Sequence, residues 1–291
     1  MIKWYREYKL SLKDIAVEEV VDLIFFRPLA FIIVKLIYRL PVTPNQISVL
    51  SIMAGITSGV FFAMGSAADF MYAGLFLALS HTLDCCDGMI ARLKKNGTIT
   101  GRILDGFADY TSATAVFVGM NIGIYEAGLE YFIPSWILLA GSALSMIIHS
   151  IAVDYYKSEF LAHGLGVSNS TQADRELFSG ELEKLKGTKG RYFDRLLMWL
   201  YLGYSRIQIF RGKEKKEYDQ KTYYRSNRML LRLWNWLGSP THIFFIVISA
   251  ILFKPEIFFY FSLVAANIWM TALLIIQARV NKKIAKIAAD E

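Results

Sequence analysis

Apolar residues along this chain run in long blocks and do not alternate with polar ones. Six blocks approach the roughly 20 residues that a helix needs to cross about 30 Å of hydrocarbon. They are residues 44–65, 67–93, 99–122, 131–156, 240–253 and 256–280. The pattern predicts an all-α integral membrane protein with six transmembrane helices, of which 240–253 is the shortest. The first is the best punctuated: Thr43 stands as a cap, Pro44 at the first helical position, and Gly65 where the helix should stop. Residues 29–40 are apolar over too short a stretch to cross, and Lys35 and Arg39 lie one turn apart within it. This segment reads as an N-terminal interfacial amphipathic helix, not a seventh span.

Composition sharpens that picture. Of the 291 residues, 55% are hydrophobic and 14% aromatic, and the mean hydropathy is +0.37. Soluble domains sit near 45–50%. So apolar a chain is neither disordered nor a nucleic-acid-binding tail, despite a net charge of +7, and its basic residues face lipid headgroups. Lys and Arg number 7 in residues 1–43, 4 in 92–102, 16 in 157–236 and 4 after 278, which leaves Lys254. Six spans put those four regions on one face, and the positive excess marks it as cytoplasmic. The expected location is the cell membrane, multi-pass, with both termini cytoplasmic. Residues 1–22 show no apolar run with a small-residue cleavage site, so no signal peptide is expected.

The chain then divides into four parts. Residues 1–43 are a cytoplasmic N-terminus with the interfacial helix, and 44–156 are spans one to four. Residues 157–236 are a cytoplasmic basic insert, and 237–291 are spans five and six with a cytoplasmic tail. The insert holds 16 basic against 9 acidic residues. Its apolar-aromatic runs at 196–210 and 229–237 predict helices that touch the membrane. Cys85 and Cys86 are adjacent, a spacing that suits neither a disulfide framework nor a zinc site.

The chemistry concentrates where span two meets span three. Span two ends in Asp84-Cys-Cys-Asp87-Gly88-Met-Ile-Ala91-Arg92, and span three opens with Gly101-Arg-Ile-Leu-Asp105-Gly-Phe-Ala-Asp109. Positions 84, 87, 88 and 91 share one helical face, as do 101, 105 and 109. Intramembrane carboxylates are costly and by default functional. Four of them call for divalent metal, and oxygen-only ligands favour Mg²⁺, Mn²⁺ or Ca²⁺ over zinc. Gly88, Ala91 and Gly101 leave shallow surfaces beside the acids where a flat substrate can lie. A diphosphate bridged by metal fits there, and the favoured reaction is displacement at phosphorus with one carboxylate taking the proton of an attacking hydroxyl.

These residues resemble the CDP-alcohol phosphotransferases of phospholipid synthesis. That family's pattern is D-x-x-D-G-x-x-A-R, eight residues, then G-x-x-x-D-x-x-x-D. Asp84, Asp87, Gly88, Ala91, Arg92, Gly101, Asp105 and Asp109 match every fixed position and the gap. The resemblance implies that Asp84, Asp87 and Asp105 ligate two divalent ions, Mg²⁺ or Mn²⁺. Asp109 would be the general base and also touch the second ion. Asp84, Gly88, Ala91 and Gly101 would line the cytidine nucleotide, with Arg92 at its phosphate end and Asn45 reaching it from span one. It also implies a homodimer with its site near the cytoplasmic surface. The insert between spans four and five is longer than the family pattern leads one to expect.

The expected activity is transfer of a phosphatidyl group from a CDP-lipid to a small polar alcohol, such as inositol phosphate or glycerol phosphate, with release of CMP. Its mirror image carries a CDP-linked headgroup to a lipid alcohol such as diacylglycerol. An intramembrane prenyltransferase would want a second, distant Asp-rich motif, and no such motif follows Asp109 in the later spans. A transporter would show broken helices or repeated halves.

Overall fold

A computed structural model describes residues 2–13, 15–97, 99–167 and 219–290, and among them the chain is helical with no strand. Helix α1 spans Ile2–Ser11. A single π-helical turn, Asp22–Phe26, leads into α2, Arg27–Ile37. Then come α3 (Pro44–Met64), α4 (Ala67–Lys94), α5 (Ile99–Glu126) and α6 (Ser135–Glu159), the last running on through a π-turn, Phe160–Gly164. Residues 219–290 supply α7 (Gln220–Trp234), α8 (Ser239–Ile251), α9 (Pro255–Tyr260), a third π-turn at Phe261–Ala265, and α10 (Ala266–Asp290). The apolar-aromatic run at 196–210 lies outside the described residues.

Among the described residues three stretches are long and apolar enough to cross a membrane: Pro44–Met64, Ser135–Gly164 and Pro255–Ile284. The 28-residue helices α4 and α5 are also long enough, at about 42 Å each, but they carry the aspartates. Helix α8 has 13 residues, about 20 Å.

The faces of α3 are inverted relative to a soluble helix. Its buried side carries Ser48, Ser51, Ala54, Gly55, Ser58 and Gly59, while Val49, Leu50, Met53, Ile56, Val60 and Met64 point outward. Lipid tails solvate Leu and Ile as well as a protein core does, so a helix in a membrane turns its small residues inward, where backbones can approach closely. Both α4 and α5 pack on that small-residue face. Ser58 donates to the Ala73 carbonyl at 2.7 Å and Ser80 to the Ser51 carbonyl at 2.8 Å, which sets α4 antiparallel to α3. On the other flank, Cβ atoms at Gly119 and Gly123 would fall 2.0 and 1.8 Å from the carbonyl oxygens of Gly59 and Phe62.

The ends of α3 follow from its sequence. The Thr43 hydroxyl accepts from Gln46 N, and the Gln46 side chain accepts in return from Thr43 N at 2.9 Å, a capping box completed by Pro44. Gly65 closes the helix at φ 84°, in the left-handed region.

Candidate active site

The register of α3, α4 and α5 places the motif. At Gly55 the three helices meet: a Cβ there would stand 2.2 Å from Ser112 Oγ on α5 and 3.1 Å from Ser80 Oγ on α4. From that level towards the α4–α5 connection, α4 presents positions 84, 87, 88 and 91, and α5, read backwards, presents 109, 105 and 101. Two turns before Gly55, Ser48 of α3 donates its hydroxyl to Asp87 Oδ2. Asp87 is buried and Asp84 half-buried, whereas Asp109 is exposed and lies near enough to act electrostatically on His81, one turn before Asp84. Gly101 is half-buried. Asp105 and Arg102 belong to α5, but their side chains lie outside the described residues.

Asn45 is half-buried at the second position of α3, one turn from Ser48 and so towards the Asp87 end of the site. Lys94 donates to the carbonyls of Leu40 and Val42 at 3.0 and 3.1 Å, which ties the end of α4 to the loop that delivers Asn45. Arg92 donates through Nε to the Ser11 carbonyl at 2.6 Å. Its guanidinium thereby lies over Gly88, with Nη2 and Nη1 3.4 and 3.5 Å from where a Gly88 Cβ would be.

Gly88 is thus open except for a flexible side chain, in contrast to Gly123, which sits against backbone. Gly88→Ala is expected to fold and unfold like the wild type but to raise the KM for a nucleotide substrate. Gly123→Ala, by separating α3 from α5, is expected to lower stability by 1–3 kcal/mol or more. Thermal unfolding in detergent beside substrate kinetics separates the two. An unchanged KM in Gly88→Ala would remove this glycine from the substrate surface.

A second polar cluster lies behind the motif face and was not legible in the sequence. Arg27, 7% exposed, pairs with Glu18 at 3.2 Å and Asp22 at 3.9 Å, and donates to the Cys85 carbonyl at 3.5 Å. Asp22 also meets His81 Nε2 at 2.9 Å. Glu18 accepts from Lys13 N at 2.7 Å, and its carbonyl accepts from Asn235 at 3.0 Å. Burial pushes the Asp22 carboxyl up, but His81 and Arg27 outweigh it and hold the group below the usual aspartate value. Glu19 is pushed the other way: its burial prevails over the ion pair with Lys157 at 2.7 Å. Gly238 leaves the room this carboxylate needs.

Asp22, His81 and Cys85 bring their ligating atoms within 4.8 Å of one another, close enough to hold a metal ion. The charges argue otherwise. With His81 protonated, the two cations Arg27 and His81 balance Glu18 and Asp22, and a divalent ion would face the Arg27 guanidinium. The cluster reads as a neutral ion-pair lock between the N-terminal segment and α4. The motif acids differ: their donors are all oxygen, and Asp84 and Asp87 stand one turn apart on one helix, which fits a hard divalent cation. Of the polar residues in the C-terminal half of α6, Lys157 is held by Glu19, and His149 faces His242 with ring nitrogens 3.1 Å apart.

The family model for CDP-alcohol phosphatidyltransferase matches residues 41–173, a range that contains α3 to α6 and every motif position. The phosphatidylinositol phosphate synthase of Corynebacterium glutamicum is 30% identical over 132 residues, which cover 45% of this chain and 57% of that relative. The chain therefore aligns with little more than half the length of this curated relative. Helices α7 to α10 lie outside the family match.

Proposed function

We propose that this chain, whose residues 41–173 match the family model for CDP-alcohol phosphatidyltransferase, transfers a phosphatidyl group from a CDP-lipid to a small polar alcohol and releases CMP. The observation that carries the reading is the joint placement of the motif. Asp84, Asp87, Gly88 and Arg92 on α4 and Asp109 on α5 flank the same end of α3, and Ser48 orients Asp87. The choice of a lipid donor and a phosphorylated acceptor is favoured by the similarity to a phosphatidylinositol phosphate synthase.

In this reading Asp84, Asp87, Asp105 and Asp109 hold two divalent ions, Mg²⁺ or Mn²⁺. When bound, those ions would supply positive charge against the phosphoryl oxygens and the departing CMP. The chain's own residues do the rest. Gly88, Ala91 and Gly101 give the nucleotide a flat bed, Asn45 meets it from α3, and Arg92 supports its phosphate end. Asp109 takes the proton from the acceptor hydroxyl as that oxygen bonds to the phosphatidyl phosphorus and the bond to CMP breaks. Incubating the purified protein with CDP-diacylglycerol, Mg²⁺ or Mn²⁺ and a panel of alcohols, with products identified by mass spectrometry, tests this. Absence of metal-dependent CMP release with every acceptor would reject it.

The same reading places six helices across the membrane: α3, α4, α5, α6, α8 and the continuous α9–α10. The active site and both termini face the cytoplasm, the chain works as a homodimer, and α2 lies along the inner leaflet. Single cysteines at Lys221 and Glu130, on a background lacking Cys85 and Cys86, are expected to label from opposite sides of sealed cells. Labelling of position 221 from outside would overturn the topology.

A further inference from the structure

Helix α7 divides sharply into two faces. Tyr223, Asn227, Leu230, Leu231 and Trp234 are buried against α10 and the end of α6. Asn227 and Trp234 both bond the side chain of Gln277, at 2.6 and 3.2 Å. Leu237, just beyond the helix, is buried with them. Most of the apolar content of the run at 229–237 is therefore taken up inside the protein, and Met229 and Trp236 are the large apolar side chains left exposed there.

The opposite face is basic. Lys221, Arg225, Arg228 and Arg232 are all exposed and recur at i, i+4, i+7 and i+11, a single stripe along the helix. Among the described residues none of the four forms an ion pair. Asp219, the cap of α7, lies at the Lys221 end and is engaged by Thr222 N at 2.8 Å. The stripe runs beside the C-terminal end of a candidate span: Tyr223 is buried with Ile284 and Asn227 bonds Gln277, and the 30 residues of Pro255–Ile284, about 45 Å as a helix, outrun about 30 Å of hydrocarbon. From Arg232 it extends about 16 Å to Lys221.

We propose that this stripe is a docking surface for anionic phospholipid headgroups of the adjacent leaflet, and that α7 binds them by charge and not by apolar insertion. Four exposed cations in line, free of ion pairs among the described residues and carried by a helix whose apolar side is already covered, complement a negatively charged lipid surface. The surface lies outside the residues that match the family model and uses none of the motif side chains.

The test is thermal unfolding of the full chain in detergent, titrated with phosphatidylglycerol or with phosphatidylcholine of the same acyl chains. Phosphatidylglycerol is expected to raise the midpoint of the wild type well beyond phosphatidylcholine, and 0.5 M salt to remove most of the difference. Replacing all four residues by Gln should leave the midpoint in phosphatidylcholine unchanged and abolish the headgroup-dependent gain, with about a fivefold loss of apparent affinity per charge. A second variant, with the three arginines replaced by Lys, keeps the charge and should keep the gain. Three results would overturn the proposal: a gain that survives the Gln substitutions, a gain indifferent to salt, or one reproduced by glycerol phosphate alone. CMP release at saturating substrate, measured in parallel, is expected to be unaffected by either variant, so a failure here is distinct from a failure of the proposed activity.

Discussion

Asp109→Asn is expected to lower turnover by about 10² to 10⁴, the usual worth of a general base, while metal-dependent binding of a CDP-lipid largely survives. The substitution keeps the shape of the side chain and removes the basic oxygen. Asp109 is the exposed member of the motif acids whose side chains are described, on the opposite helix from the buried Asp87. Exposure suits a group that must meet an incoming hydroxyl. Asp87 is in the contrary position: it is 6% exposed and fixed by the Ser48 hydroxyl. Held ligands are built that way, because an outer hydrogen bond settles which oxygen faces the ion. In Asp87→Asn or Asp84→Asn, turnover and metal-dependent affinity should therefore collapse together. Calorimetry of CDP-lipid binding with Mg²⁺, set beside CMP release for each variant, distinguishes the roles. If Asp109→Asn lost metal-dependent binding as completely as Asp87→Asn, Asp109 would be a ligand first and the base would have to be sought elsewhere.

What the sequence made legible was local. Thr43, Pro44 and Gly65 announce the ends of α3 because capping and the left-handed turn involve residues a few positions apart. The single face shared by Asp84, Asp87, Gly88 and Ala91 follows from helical periodicity alone. Contacts across the chain were not legible. Ser48 reaches Asp87 across 39 residues, and Arg27 reaches Cys85 across 58. No periodicity within residues 1–43 distinguishes a buried Arg27 from the exposed Lys35 and Arg39. The four acids suggested that metal must supply all the positive charge nearby, yet Arg27 and His81 bring their own to the rear of α4. His81 sits one turn before Asp84, and its partner Asp22 is 59 residues away, so the sequence offered no sign of which acid it would meet. The aromatic-aliphatic run at 229–237 illustrates the same limit: its composition suits lipid, but α6 and α10 cover most of it.

The lock around Arg27 should dominate stability as Asp109 dominates turnover. Arg27→Met preserves most of the side-chain volume but leaves Glu18 buried without its cation and Asp22 with His81 alone, and breaking a buried pair from one side costs about 3–5 kcal/mol. The expected result is a large fall in the unfolding midpoint in detergent at neutral pH. The sign with pH follows from Asp22. Its carboxyl is held below the ordinary aspartate value of 3.8, so its contribution is fully present above that value and is lost only as the pH falls through the lower folded-state value. Neutral pH is therefore where the loss is whole. Adding Glu18→Gln and Asp22→Asn to Arg27→Met removes the uncompensated anions and should recover most of the lost stability, because a buried ion pair replaced in full is often close to neutral. The triple variant also separates charge from anchoring. Arg27 donates to the Cys85 carbonyl and Ser11 holds Arg92, so the N-terminal segment backs the helix that carries the motif. If the triple variant were as stable as the wild type yet bound nucleotide more weakly, the lock would position α4 as well as stabilise it. If it stayed as unstable as Arg27→Met alone, the cost would lie in lost packing, and the ion-pair account of this cluster would fail.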